Sequence, residues 1–302
     1  MKAEGKYVEE AFMDMRSDMS GVLDTSTVEY LVVGKDISPE ALTSAIGTWM
    51  FTVRAPITFR VLTTDERAVE LLEAKLSPGD TFQGAIDTMR VQSPLGYGFI
   101  HHMPELWRVM STLTNGDGDL ILPIMNTDPE NKTLTSPGVA VYDGARRVGR
   151  LTRQESGLAC WVAARQCQGG VRFFPYEGRE LIARLRRVTA DVKAKRGADG
   201  MPEFTIKMDA WAELLDSGNF RTPLIGREVL DRVELALADN MRTELLALTR
   251  KLQSVNSDAL RLYAAARLVM RDMSWNEFKD IYPSVKVHVE IKVRVRRVGL
   301  LR

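Results

Sequence analysis

The chain has 302 residues, 45% of them hydrophobic and 27% charged, a make-up that builds one to three globular domains and excludes disordered, collagen-like and fibrous classes. Lys and Arg total 41 against 40 Asp and Glu, a net charge of +1, so no global charge calls for a nucleic-acid or strongly acidic partner, and any electrostatic function is local. No apolar run approaches the roughly 18–20 residues of a membrane span, and the start, MKAEGKYVEEAFMDMR, is amphipathic and acidic rather than an export signal, so the chain as written reads as soluble.

In chain order, Val8, Ala11, Phe12 and Met15 are spaced for a helix over 5–18, and VEYLVVG (28–34) is a short strand ended by Gly34. Ser38-Pro39-Glu40 opens the next helix with a capping hydroxyl, a first-turn proline and an early acid. ITFRVLT (57–63) is the second strand, and Thr64-Asp65-Glu66 is expected to open another helix. A helix over 103–114 stops at NGDGD, LILPIM (120–125) is extended, and TDPENKTLTSPG (127–138) reads as a loop and a domain boundary. GVAVYDGARRVGRL (138–151) predicts a hairpin turning at Asp143-Gly144.

A helix from Thr152 to about Cys167 follows, ended by Gly169-Gly170, and then the extended run VRFFP. It would carry both cysteines, Cys160 and Cys167, roughly 10 Å apart and out of disulfide reach. Within 178–196, Leu181, Ala183 and Leu185 share one parity and Val188, Ala190, Val192 and Ala194 the other, so two strands meet at a tight turn or bulge near Arg186-Arg187. MPEFTIKMDAWAEL (201–214) is a further strand of that sheet. Val229, Val233, Leu237, Met241, Leu245, Leu248 and Leu252 form one stripe of a long helix. A second helix covers 257–271 and a third begins at Ser274-Trp275. The chain closes on SVKVHVEIKVRVRRVG, whose strict alternation predicts a long strand with one buried and one wet face.

Few residues point to chemistry. His101-His102 with Glu105 lacks the third and fourth convergent ligands of a zinc site. NGDGD (115–119) opens like a calcium loop, but Leu120 and Asn126 stand where glycine and an acid are required, so it reads as a helix-ending turn. Gly96-Tyr97-Gly98 lacks the rest of a phosphate loop, Ser156 sits in QESGL rather than GxSxG, and the cysteines look like packing residues. No catalytic, cofactor or metal residues are assigned. Charge is more informative: 171–196 holds eight Lys/Arg and three acids, and 284–302 six Lys/Arg and one acid. If both segments belong to one sheet, Arg184, Arg186, Lys286, Lys292, Arg294 and Arg296 are a candidate basic contact surface. The plain alternative is a solvated face offset by acids on the long helix. An anionic membrane or an acidic subunit would suit such a face; nucleic acid would not, because aromatics are not interleaved with the cations.

The long helix with TRKLQSVNSDALRL (249–262), SWNEF (274–278) and VKVHVEIKVRVRRVG (285–299) resembles the Ger(x)C family, the C subunits of bacterial spore germinant receptors. AEGKYVEEAFMDMR (3–16), EYLVVGKDIS (29–38), LILPIM, GVAVYDGARRVGRL and the ExxxLxCW element (155–161) occur in the order expected of that family, with Asp258 and Trp275 among its fixed points. The resemblance covers about Ala3 to Gly299. It implies a lipoprotein with a multi-domain mixed α/β (α+β) ectodomain on the outer face of the spore inner membrane. The expected division is an N-terminal α/β domain (1–130), a middle hairpin-plus-helix domain (131–175) and a C-terminal domain (176–302) with an antiparallel sheet covered by helices, one of them long. The signal, the lipid-attachment cysteine and the first strands of the family pattern are not in this sequence, through truncation or loss. The implied role is a non-catalytic receptor subunit that assembles with polytopic membrane subunits and needs no cofactor. The rivals are a free-standing ligand-binding or scaffold module of similar fold and, less favoured, an enzyme.

Overall fold

The computed structural model of the chain describes residues 8–18, 24–51, 56–215 and 226–298. The first helix, α1 (Val8–Ser17), packs Phe12 edge-on against Trp49 at 5.1 Å; its expected first turn, residues 5–7, lies outside the described residues. β1 (Tyr30–Val33) leads to α2 (Pro39–Phe51), where the Ser38 hydroxyl accepts the Ala41 N–H at 3.1 Å as the sequence predicts. β2 (Arg60–Thr63) follows.

Thr64-Asp65-Glu66 do not cap the next helix. α3 (Ala68–Leu72) starts after Arg67, because the three preceding side chains are taken by neighbouring strands. Asp65 pairs with Arg147 at 2.5 Å, and Glu66 accepts the Thr127 N–H and hydroxyl at 2.8 and 3.0 Å. α4 (Phe82–Gln92), capped by Thr81, and two 3-10 turns lead to α5 (Leu106–Asn115), which stops at Gly116 in the left-handed conformation.

The stretch expected as a loop at 127–138 is mostly strand. β3 (Ile121–Asp128) and β4 (Thr133–Asp143) form an antiparallel hairpin in which Asp128 faces Thr133. β5 (Arg146–Thr152) returns from the predicted turn, giving a sheet of order β1-β2-β3-β4-β5, parallel for its first three strands and antiparallel beyond. Helices cover both faces: Leu42, Ile46, Leu106 and Val109 pack with Val61 and Leu122, while Leu71 and Ile86 pack with Leu62 and Met125.

α6 (Arg153–Ala164) ends three residues short of Cys167, with Arg165 at φ 65°. Cys167 instead sits in the two-residue strand β6 (Gln166–Cys167), so the two cysteines do not share a helix; both are free thiols. After β7 (Val171–Tyr176), β8 (Arg179–Arg196) is one 18-residue strand. The change of parity is a bulge between Leu185 and Arg187 in its pairing with β9 (Pro202–Leu215).

α7 (Arg227–Ser254) buries the predicted stripe from Val233 to Leu252. α8 (Leu262–Val269) and α9 (Trp275–Ile281) complete the crossover to β10 (Lys286–Val298). β10 runs parallel to β9, whereas an antiparallel C-terminal sheet was expected; β6, β7 and β9 are antiparallel to β8. Three intervening helices are the connection a parallel pair requires. The order is β10-β9-β8-β6, with β7 also on β8. α7 lies against the odd-numbered valines of β10, and one apolar cluster links Val139, α6, the second sheet and α7.

Candidate functional site

The even-numbered side chains of β10 point away from α7, and each proposed cation finds a definite place on that outer face. Lys286 lies opposite Glu203, Lys292 opposite Asp209 and Arg294 opposite Trp211. Arg184 lies opposite Glu213, and Arg186, at the bulge, donates to the Glu213 carboxylate at 2.7 Å. The Arg296 guanidinium lies over the Trp211 ring, 3.1 Å from its centroid, and Arg187 is 5.4 Å from the same ring. The structure therefore brings two arginines, 187 and 296, onto one part-buried tryptophan, with Arg294 opposite it in register. Such stacking holds a guanidinium in place while leaving its charge available.

The counter-charge comes from a different element than expected. Acids on the long helix cannot offset this face, because α7 packs on its back. Instead β9 carries Glu203, Asp209 and Glu213 down the middle of the sheet, flanked by cations from β8 and β10. Glu203 pairs with Lys195 and Lys286 at 3.0 and 3.4 Å, and Lys207 with Glu290 at 2.9 Å. Nor does every arginine of 171–196 reach the surface. Arg172 is 1% exposed, and its guanidinium pairs with Glu244 and donates to the Gln154 carbonyl, which ties β7 to α6 and α7. Burial pulls its pKa down to about 10.

A second constellation joins the two sheets. Asp119, from the predicted helix-ending turn, is fully buried and accepts the N–H groups of Gly144 and Asp258, both at 2.7 Å. Asp119 N–H donates back to the Asp258 carbonyl at 3.1 Å. Lys279 on α9 reaches Asp119 at 2.7 Å and Asp143 at 2.8 Å, donates to the Asn256 carbonyl, and lies 5.1 Å from the centroid of the Trp275 ring. The NGDGD carboxylate that resembles a calcium ligand is thus occupied by an ammonium and backbone donors.

The Asp258 carboxylate accepts the N–H groups of Leu262 and Tyr263 at 2.8 and 2.9 Å and starts α8, so that helix begins five residues later than its periodicity suggests. Burial raises the pKa of both acids, that of Asp258 to about 7, while backbone donors and Lys279 pull the other way. Two of the residues singled out by resemblance, Asp258 and Trp275, thus sit at the joint. Lys279 carried no signal in the sequence; a lone lysine in a short helix looks like any exposed one.

The remaining candidates have structural places. Ser156 accepts the Val139 N–H at 3.0 Å and donates to the Thr152 carbonyl at 2.6 Å. Burial pushes both cysteine thiols up to about 12, far from the thiolate a nucleophile needs. Gly96-Tyr97-Gly98 lies against Gly169-Gly170, with the Val171 N–H on the Gly96 carbonyl at 2.6 Å. The His101 and His102 rings meet edge to face at 5.6 Å. Among the described residues no three or more His, Cys, Asp or Glu converge as a metal site, and no helix is long and apolar enough to cross a membrane.

Two family profiles match this sequence, "Spore germination protein N-terminal domain" over residues 1–127 and "Spore germination B3/ GerAC like, C-terminal" over 137–299. The chain belongs to the GerAC family of spore germination proteins. A solved structure, "Crystal Structure of the GerBC protein", has the same fold, with a TM-score of 0.67 at 16% identity over 95% of this chain and 84% of that one. No curated protein matches the sequence significantly. Membership in the GerAC family supports a role as a germinant receptor C subunit in general terms. The first profile ends at residue 127 in β3 and the second begins at 137 in β4, and hydrogen bonds between these two strands carry the first sheet across the gap.

Proposed function

We propose that this GerAC-family chain is a non-catalytic C subunit of a spore nutrient germinant receptor, held at the outer face of the spore inner membrane and working through assembly with polytopic partner subunits. The family profiles, which together span nearly the whole chain, carry this reading. The division of labour within the molecule fits it. The buried acids Asp119 and Asp258 are spent on joining the two sheets, and an array of cations is displayed on an open sheet face. Arg184, Arg186, Lys286, Lys292, Arg294 and Arg296 are the proposed contact surface, for an acidic subunit or the anionic membrane itself.

The test is germination of spores carrying the full-length gene. Deleting it abolishes the response to the nutrient while the spores remain viable, and the wild-type gene restores it. A charge-reversed copy, Lys292→Glu with Arg294→Glu, restores it poorly although the protein accumulates normally. Spores that germinate at the wild-type rate without the gene would contradict the receptor reading and favour a free-standing module.

A further inference from the structure

A cleft of about 450 Å³ lies between the helices of the first sheet and the α6–β6 side of the second. Arginines from four separate elements line it: Arg60 at the start of β2, Arg90 in the last turn of α4, Arg108 on α5, and Arg261 just ahead of α8. Two acids reach the same space, and both are engaged. Asp119 is held by Lys279 and two backbone N–H groups, and Glu105 accepts the Trp107 indole N–H at 2.6 Å.

Arg90 and Arg261 have weak carboxylate partners, Asp87 at 3.3 Å and Asp117 at 3.8 Å. Among the described residues Arg60 and Arg108 have no ion pair, and Arg108 rests against Trp107, 5.0 Å from its ring centroid. The Arg90 Nε and His102 Nε2 atoms are buried with no hydrogen-bond partner. His102 is held neutral, its pKa pulled down to about 4 by burial and by His101, so the positive charge of the cleft belongs to the arginines.

A guanidinium has only donors to offer; Arg261 spends one on the Thr112 hydroxyl at 3.2 Å, while the buried, unpartnered Nε of Arg90 requires an acceptor. A cleft with cationic walls also concentrates anions, and its volume is that of a small-molecule site. We propose that this cleft binds a small anion bearing carboxylate or phosphate oxygens, with Arg60, Arg90, Arg108 and Arg261 as its donors. The planar fork of arginine fits both groups. The site goes beyond the receptor reading and does not depend on it, and it is separate from the basic sheet face.

Calorimetric titration of the purified full chain at low ionic strength tests the assignment, with citrate and inorganic phosphate as probes and glucose as the neutral control. Saturable binding of citrate, phosphate or both at one site per chain is expected, with none for glucose; citrate alone marks a carboxylate site and phosphate alone a phosphate site. Arg60→Gln with Arg108→Gln lowers the affinity at least about tenfold, and the exposed Arg108→Gln alone, which leaves β2 untouched, lowers it about threefold or more. Arg294→Gln with Arg296→Gln leaves it unchanged. Absence of saturable binding by both anions, affinity retained in Arg108→Gln, or affinity lost in the sheet-face variant would each overturn the site.

Discussion

At Lys279 a single ammonium serves two carboxylates and a carbonyl from three separate stretches of chain, with 11% of its side chain exposed and Asp119 wholly buried. Removing one member of such a pair strands the other. Lys279→Met is therefore expected to cost about 3–5 kcal/mol in urea unfolding, and adding Asp119→Asn to recover part of it, because a buried pair replaced as a unit is far less costly than one broken. A loss below about 1 kcal/mol would place Lys279 among ordinary surface ion pairs.

Asp258 gives the same joint a pH dependence. Its folded pKa is raised from 3.8 to about 7, so between these values the native state holds a proton that the unfolded chain has released. Its contribution is fully present below pH 3.8 and is lost as pH climbs to about 7. Between pH 5 and 8 the wild type should lose roughly 2–3 kcal/mol relative to Asp258→Asn. Denaturation series at the two pH values read this directly, and parallel curves for the two proteins would refute it.

Among the elements, those whose cues are local were legible in the sequence: the α2 cap, the β4–β5 turn, the stripe of α7 and the alternation of β10. The parity change in β8 marks its bulge at Arg186, because an extra residue reverses every side chain beyond it. The direction of β10 was not legible, since alternation is the same for parallel and antiparallel strands. The 127–138 stretch looks like a loop because its polar residues and prolines sit at the tip of the β3–β4 hairpin, which extends past the pairing of these strands with β2 and β5. At the site, parity put the six cations on one face, but the acids that balance them come from a strand left out of the charge count. The arginine cleft drew on four distant segments with no common spacing, so nothing in the sequence could collect them.

Gly138 shows how closely the elements fit. At φ 147° in β4, a Cβ there would stand 1.9 Å from the Leu151 carbonyl oxygen and 3.0 Å from the Ser156 hydroxyl. Gly138→Ala must therefore push β4 off β5 and α6, and its melting temperature should fall by several degrees, roughly 4–8 °C per kcal/mol for a small domain and less for a chain of this size. An unchanged melting temperature would mean that the hairpin yields without strain. Gly144→Ala is the control: open space surrounds that position, although its φ of 60° favours glycine, so its cost should be smaller.

On the scale of the whole molecule, two mixed sheets are locked together by the Asp119–Lys279–Asp258 joint and by one apolar cluster reaching from Val139 to Val295. The outer face of the second sheet, stacked around Trp211, remains open with its cations in two flanking columns. If that face meets an anionic membrane, sedimentation with vesicles should rise with anionic lipid and fall with salt, each lysine or arginine near the surface adding about 1 kcal/mol. Equal sedimentation with neutral and anionic vesicles would leave a protein partner as the occupant of the face.

The most direct measurement is photo-crosslinking in spores from position 294, within full-length chain, followed by detergent extraction, affinity purification and mass spectrometry. Assembly through the basic face predicts crosslinks to polytopic membrane subunits, lost when Lys292 and Arg296 are replaced by glutamate. Recovery of this chain alone, from position 294 and from control positions on α4 and α7, would contradict assembly into a receptor.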